Sequence, residues 1–405
     1  MPPQDPSHAV AAEAVAQVPQ SEFKTGQVLT MATSHGLHDT YSAFLPPLLP
    51  ELIQRFSLTN ADAGLLSAFL QFPSVFQPVI GYLADRISLR YLVILAPGIT
   101  ATAMSLLGIA PHFALLALLI TIAGFSSAGI HAIGPVMAGR VSGNRLGRGM
   151  SLWMVGGELG RTIGPILVVS AVAWFGLEGT AWLMVGGWLA SLLLFFRLRT
   201  VPGRPAEMPP GQHWKAVLLQ MRSFLLALAL LHVVQSFSSV ALTTYLPIYM
   251  REGGASLWWA GAALSILQAA GVIGALIGGS ISDRLGRMRT LAIALSVTAV
   301  LIVAFLYVPD AWQAWFLPFL GFFSLSMTPV IMAITQECYP ENRAMANGLY
   351  MAVSFIIRSI ILVVFGGISD AVGMTNAFLL SAVLLLFGIP ILRMFPACDV
   401  KRASG

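Results

Sequence analysis

The chain has 405 residues, 57% hydrophobic and 10% charged, with a mean hydropathy of +0.81. Soluble globular chains carry roughly 25% charged residues, so this composition excludes a water-soluble fold and makes lipid the main solvent. The formal charge of +5 sits in short loops between apolar runs, which points to membrane topology and not to nucleic acid.

Residues 1–26 are rich in Ala, Pro, Gln and Glu and carry the single Lys24. They lack the basic start and apolar centre of a signal peptide, so a disordered cytoplasmic tail is expected. Six apolar segments follow, near 28–50, 61–83, 91–110, 113–138, 149–174 and 179–198. A polar stretch with Pro202, Pro205, Pro209, Pro210 and Gly211 then interrupts the pattern. Six more segments lie near 221–249, 258–281, 289–308, 312–336, 344–368 and 374–395. Each run is continuous over about twenty residues, as a membrane helix requires, whereas barrel strands alternate over about ten. The expected fold is all-α and integral to the membrane, with twelve helices in two pseudo-symmetric bundles. The bundles span 27–198 and 221–396, joined by a cytoplasmic linker over 199–220, with a cytoplasmic tail over 397–405.

Lys and Arg set the orientation. With the N-terminus inside, the cytoplasmic loops hold Arg86, Arg90, Arg140, Arg145, Arg148, Arg197, Arg199, Arg204, Lys215, Arg284, Arg287, Arg289 and Arg343, and the outer loops hold Arg55 and Arg251. Both termini are therefore expected in the cytoplasm of a cell with a bacterial-type inner membrane. The two halves also repeat. A shift of 197 residues places His35 on His232, His38 on Gln235, Asp39 on Ser236, Ser42 on Ser239, Trp153 on Tyr350 and Arg161 on Arg358. A duplicated six-helix unit is a transporter architecture with its site at the interface of the repeats near mid-membrane.

Charged groups at that depth cost about 2.5–3.5 kcal/mol each on insertion scales, so each needs a partner or a task. His35, His38, Asp39 and Ser42 fall on one face of the first segment, and Asp39 lies roughly 16 Å from its cytoplasmic end. This stripe suits a proton relay, or a hydrogen bond that only fastens the helix to a neighbour. In the fifth segment Glu158 and Arg161 either neutralise each other or divide into a proton carrier and an anion ligand. Arg358 in the eleventh segment has no acid in its own helix; it either converges with Arg161 on an anion or pairs with Glu158 or Asp39 as a gate. His131 joins the proton-coupling candidates Asp39, His38 and Glu158. His35, His232 and Gln235 join Arg161 and Arg358 as substrate ligands, with Ser236, Tyr245 and Gln268 as further lining. No nucleophile–base pair, phosphate-binding glycine loop or metal-ligand cluster stands out, so neither an enzyme, a cofactor nor a metal is expected.

Two loops carry a repeated motif, Gly81-Tyr-Leu-Ala-Asp85-Arg86-Ile-Ser-Leu-Arg90 and Gly279-Ser-Ile-Ser-Asp283-Arg284-Leu-Gly286-Arg287. Both resemble the loop signature of the major facilitator superfamily, the first with Ser88 where a glycine is usual. Within it the chain is similar to the fosmidomycin-resistance exporters, through His38-Asp39 followed by Phe44-Leu45-Pro46, Gln77-Pro78, Gly129-x-His131, and Arg148-Gly149-Met150-Ser151 leading to Gly156-Gly157-x-x-Gly160-x-x-x-Gly164-Pro165. The resemblance implies a monomeric, proton-driven exporter of a small drug-like or anionic solute working by alternating access. Their place at the cytoplasmic surface gives Gly81, Asp85, Arg86, Arg90, Gly279, Asp283, Arg284 and Arg287 an expected conformational role, with Asp85 and Asp283 capping or pairing with neighbouring helix ends. The rival expectations are a proton-coupled importer of an organic anion and a membrane receptor or assembly subunit without flux.

Overall fold

The computed structural model describes residues 22–84, 87–199, 218–339 and 343–396. Most of the expected N-terminal tail, most of the linker, Asp85, Arg86 and residues 397–405 lie outside them.

The first pass is two helices, α1 (Thr25–Ser42) and α2 (Leu45–Phe56). The expected single helix breaks at Ala43 and Phe44 because Pro46 and Pro47 supply no N–H to continue the α1 ladder; they fit the first turn of α2 instead. The pass also starts earlier than expected. Lys24 N–H donates to the Val141 carbonyl at 3.0 Å and Arg148 lies over the Phe23 ring, so the end of the expected tail is ordered on the bundle.

The second pass comprises α3 (Asn60–Gln71), a 3-10 turn over Phe72–Phe76 and α4 (Gln77–Ala84). Then come α5 (Arg90–Ser105), α6 (Phe113–Val141), α7 (Leu146–Gly179) and α8 (Met184–Leu198). The second half holds α9 (Arg222–Val240), a π turn over Ala241–Tyr245, and α10 (Leu246–Glu252). It continues with α11 (Leu257–Leu285), α12 (Arg287–Tyr307), α13 (Asp310–Cys338), α14 (Arg343–Val372) and α15 (Met374–Ile391).

Among the described residues ten helical runs are long and apolar enough to cross a membrane. One of them, Leu146–Leu198, has 53 residues. At about 1.5 Å per residue it far exceeds a hydrocarbon core of about 30 Å. Gly176, at φ +73°, breaks it into two passes. The α1–α2 pass is not among the ten runs: it is broken at Ala43 and Phe44, and its longer helix holds His35, His38 and Asp39. The count is consistent with the expected twelve.

The packing repeats with the sequence. α1 lies on α7 as α9 lies on α14, and α5 lies on α8 as α12 lies on α15. The halves meet where α3 packs on α14 and α7 on α11. We call the end of the bundle holding Ala84, Arg90, Leu285 and Arg287 the loop face and the opposite end the far face. At the far face one apolar core runs through both halves, joining Leu45, Leu48, Leu66 and Val169 to Leu242, Leu246, Leu267 and Leu362. At the loop face the first half keeps its own core, built from Met31, Val93, Ile130, Met137, Trp153 and Leu194.

Hydrogen bonds that join the halves gather at the far face. The Asp370 carboxylate accepts from the N–H groups of Asn60 and Ala61, both at 2.9 Å, and so caps α3 from the other half. Tyr245, expected to line the cavity, instead donates at the seam, where the Leu362 and Asn60 carbonyls accept at 2.8 and 3.0 Å. Ser265 accepts from Ile166 N–H at 3.2 Å, and Arg251 pairs with Glu51 at 3.3 Å. At the loop face a Cβ added to Gly81 or Gly279 would meet nothing within 4 Å.

Candidate functional site

The site is built on α1, α6 and α7. Gly156, Gly160 and Gly164 of α7 lie against backbone atoms of Ala32, Gly36 and Thr40 on α1, an approach that no larger residue permits. That contact sets the polar stripe of α1 against the charged face of α7. Gly157 makes the gap into which the His35 ring fits, and the ring stacks on Trp153 with centroids 4.1 Å apart and planes at 12°.

Asp39 is the hub. Arg161 donates to its Oδ2 at 2.8 Å and also pairs with Glu158. His35 Nε2 lies 3.4 Å from Oδ2, and His131 Nε2 and His38 Nε2 lie 3.6 and 4.0 Å from Oδ1. Of the alternatives left open for Glu158 and Arg161, the structure shows the pairing, and the pair extends to Asp39. Exposure rises outward through the cluster, from 3% for the Asp39 side chain to 21% for Glu158, 29% for His131 and 37% for Arg161. A polar wire runs behind it. His38 Nδ1 lies 3.1 Å from Thr100 Oγ1, which donates to Ser126 Oγ at 2.9 Å, while Ser42 Oγ is 3.2 Å from His38 Nε2.

The second half repeats the frame and not the charges. His232 packs on the Tyr350 ring as His35 packs on Trp153, and Ser354 Oγ lies 3.0 Å from its Nε2. Arg358 donates to Ser239 and Thr243 hydroxyls, both at 2.9 Å. The expected alternative, in which Arg358 pairs with Glu158 or Asp39, is not what the structure holds, and among the described residues no carboxylate pairs with Arg358. The positions that would supply one by the repeat are Ser236 and Phe355. The charge of Arg161 acts on Arg358 from the other half. Gln235, one turn before Ser239 on α9, is buried with its Oε1 unpartnered.

The loop motif lies apart from this cluster. Asp283 pairs with Arg287, in the first turn of the next helix, at 2.6 Å, and Arg287 also pairs with Glu337 at 2.6 Å. These contacts stay within the second half. Arg284 is exposed, and Arg90 lies over the Tyr91 ring. Asp85 and Arg86 lie outside the described residues.

The sequence reading did not single out Trp153 as a wall of the site, nor Thr100, Ser126, Thr243 and Ser354 as partners. The alignment of Trp153 with Tyr350 in the repeat was the available signal for the first. The others are small hydroxyls in apolar helices, where such residues usually bond their own backbone.

The Major Facilitator Superfamily model matches residues 31–328. The chain belongs to that superfamily. This superfamily transporter is similar to the Fosmidomycin resistance protein of Escherichia coli (strain K12), at 25% identity over 385 residues, 93% of this chain and 95% of that protein. Its fold is shared with a bacterial homolog of the human lysosomal transporter Spinster in an inward-facing, occupied conformation, at a TM-score of 0.77 and 16% identity, covering 94% of this chain and 98% of that one. It is shared likewise with a D-xylose-proton symporter, at a TM-score of 0.70 and 16% identity, covering 92% and 99%. The chain is a multi-pass membrane transporter and not an enzyme.

Proposed function

We propose that this transporter exports a small anionic or zwitterionic solute, fosmidomycin-like in class, in exchange for protons. The observation that carries the reading is the division of charge between the halves. The Asp39, Glu158 and Arg161 cluster holds one more negative charge than positive and is ringed by three imidazoles, which suits it to take up a proton. Among the described residues Arg358 has hydroxyl partners alone, which suits it to take the anionic group of the solute. N–H or O–H donors elsewhere on the solute would then bond Asp39 and Glu158. A proton on those carboxylates excludes such donors, so proton and solute compete and inward proton flow drives export. The loop face is the cytoplasmic side of an inner membrane in this reading, and the sealed far face makes the described conformation the one that loads solute from within. Similarity to the fosmidomycin-resistance protein supports the direction.

A second reading has its own observation. A proton on Asp39 would release Arg161 to a solute lacking donors, so a simple organic anion would bind together with the proton and be imported. The sign of the pH effect separates the two. Fosmidomycin binding to the purified chain is measured between about pH 6 and pH 8, across the range in which imidazoles titrate. Weaker binding at the lower pH, with solute-driven proton release in proteoliposomes, is the expected result. Stronger binding at the lower pH selects symport. Solute binding without any proton movement overturns proton coupling.

A further inference from the structure

His35 and His131 share a feature that proton transfer does not require. Each ties its Nδ1 to a backbone carbonyl, Trp153 O for His35 and Ser127 O for His131, both at 2.8 Å. A carbonyl oxygen only accepts, so Nδ1 carries the hydrogen in both rings and each neutral ring presents a bare Nε2. The two Nε2 atoms lie 3.2 Å apart, and Asp39 offers Oδ2 at 3.4 Å from the first and Oδ1 at 3.6 Å from the second. Two lone pairs and an anion thus converge on one point.

We propose that His35 Nε2, His131 Nε2 and the Asp39 carboxylate form a binding site for one divalent transition-metal ion of the Zn2+ or Co2+ class. The spacing fits. With bonds of about 2.0–2.1 Å, ligand atoms 3.2 Å apart subtend about 100° at the metal, and those at 3.4 and 3.6 Å subtend about 110° and 120°. These angles suit a four-coordinate site of two imidazoles and a chelating carboxylate, distorted from a tetrahedron by the narrow bite of the two oxygens. The carbonyl anchors on Nδ1 are the outer-shell bonds that orient metal-ligating histidines. Trp153 stacked on His35 and Gly157 against it hold that ring in place. His131, 29% exposed, gives an ion its path in. The other charged or titratable groups facing the point are His38 at 4.0 Å from Oδ1, Arg161 on Oδ2, and Glu158 behind Arg161. A dication changes the net charge of Asp39, Glu158 and Arg161 from minus one to plus one, no larger in magnitude than before. A proton on either Nε2 removes a ligand, so metal binding weakens as pH falls. The proposal concerns binding alone and stands whether or not protons drive transport.

The test is a Co2+ titration of the purified, metal-stripped full chain, followed by visible d–d absorption. Saturation at one Co2+ per chain, with displacement by Zn2+, is the expected result. His131→Gln, at a partly exposed position, and Asp39→Asn each weaken binding by more than about tenfold, whereas His232→Gln leaves it unchanged. X-ray absorption at the zinc edge then shows two imidazole shells at about 2.0–2.1 Å, a readout that does not depend on how a variant folds. Absence of saturable absorption, equal affinity in His131→Gln and Asp39→Asn, or a zinc spectrum without imidazole overturns the proposal.

Discussion

Arg161 and Arg358 stand at equivalent places in the two halves, yet a substitution at each has opposite consequences. Arg161 neutralises two carboxylates, and Arg161→Met leaves Asp39 and Glu158 facing each other at membrane depth without a cation. Breaking a fully buried pair costs about 3–5 kcal/mol; here only Asp39 is fully buried, so the cost is smaller, and the melting temperature in detergent should still fall. Arg358→Met removes a charge held by hydroxyls alone. Its melting temperature should hold or rise, while fosmidomycin binding, deprived of a charge-assisted bond of about 1.5–3 kcal/mol, weakens by about tenfold or more. Thermal unfolding and binding on the same two variants check both halves of this expectation. The α1 stripe was legible in the sequence because helical spacing puts His35, His38 and Asp39 on one face. Their partners were not, since nothing in the spacing of one helix says that His131, 92 positions beyond Asp39, comes within 3.6 Å of it. The repeat did mark Arg161 and Arg358 as equivalents. It could not say which was neutralised until the loss of acids at Ser236 and Phe355 was set against the packing.

The element that matters most is the α1–α7 pair. A Cβ on Gly160 would sit 2.9 Å from Thr40 N and 3.0 Å from Asp39 Cβ, against backbone that has nowhere to move. Gly160→Ala should therefore push α1 and α7 apart, costing about 1–3 kcal/mol as other overpacked contacts do, and stretch the Arg161–Asp39 pair. Gly147→Ala is the control, because a Cβ there meets nothing within 4 Å. A lower melting temperature for the first and an unchanged one for the second is the expected pattern; equal values would remove the glycine contact from the account. Helix positions were largely legible, since long apolar runs bounded by Gly, Pro and Arg leave few choices. The breaks were less so. Two prolines within a run read equally well as a kink or a restart, and the left-handed Gly176 separates two passes without any change in composition.

At the scale of the whole molecule, the seam at the far face decides which side the site opens to. Asp370 caps α3 across the two halves through two 2.9 Å bonds, and Asp370→Ala combined with Tyr245→Phe removes four of the hydrogen bonds there. Spin labels at Ile109 and Tyr307, exposed at the far ends of the two halves, report the result. Their distance distribution should broaden to longer values in the double variant; an unchanged distribution would mean that the apolar core alone holds the seam. The two-bundle fold was legible from the repeat. The sealed end was not, because neither Asp370 nor Asn60 stands out in the sequence as more than a helix-end polar residue. The asymmetry of charge between the halves has one further consequence, and it is electrical. At mid-depth Asp39 and Glu158 balance Arg161 and Arg358, so under the proposed exchange the empty carrier is neutral and the protonated one carries a single positive charge. Membrane voltage, at about 2.3 kcal/mol per charge per 100 mV, then pulls the proton-loaded leg inward, and a bound monoanion gives the solute-loaded leg a single negative charge that the same voltage drives outward.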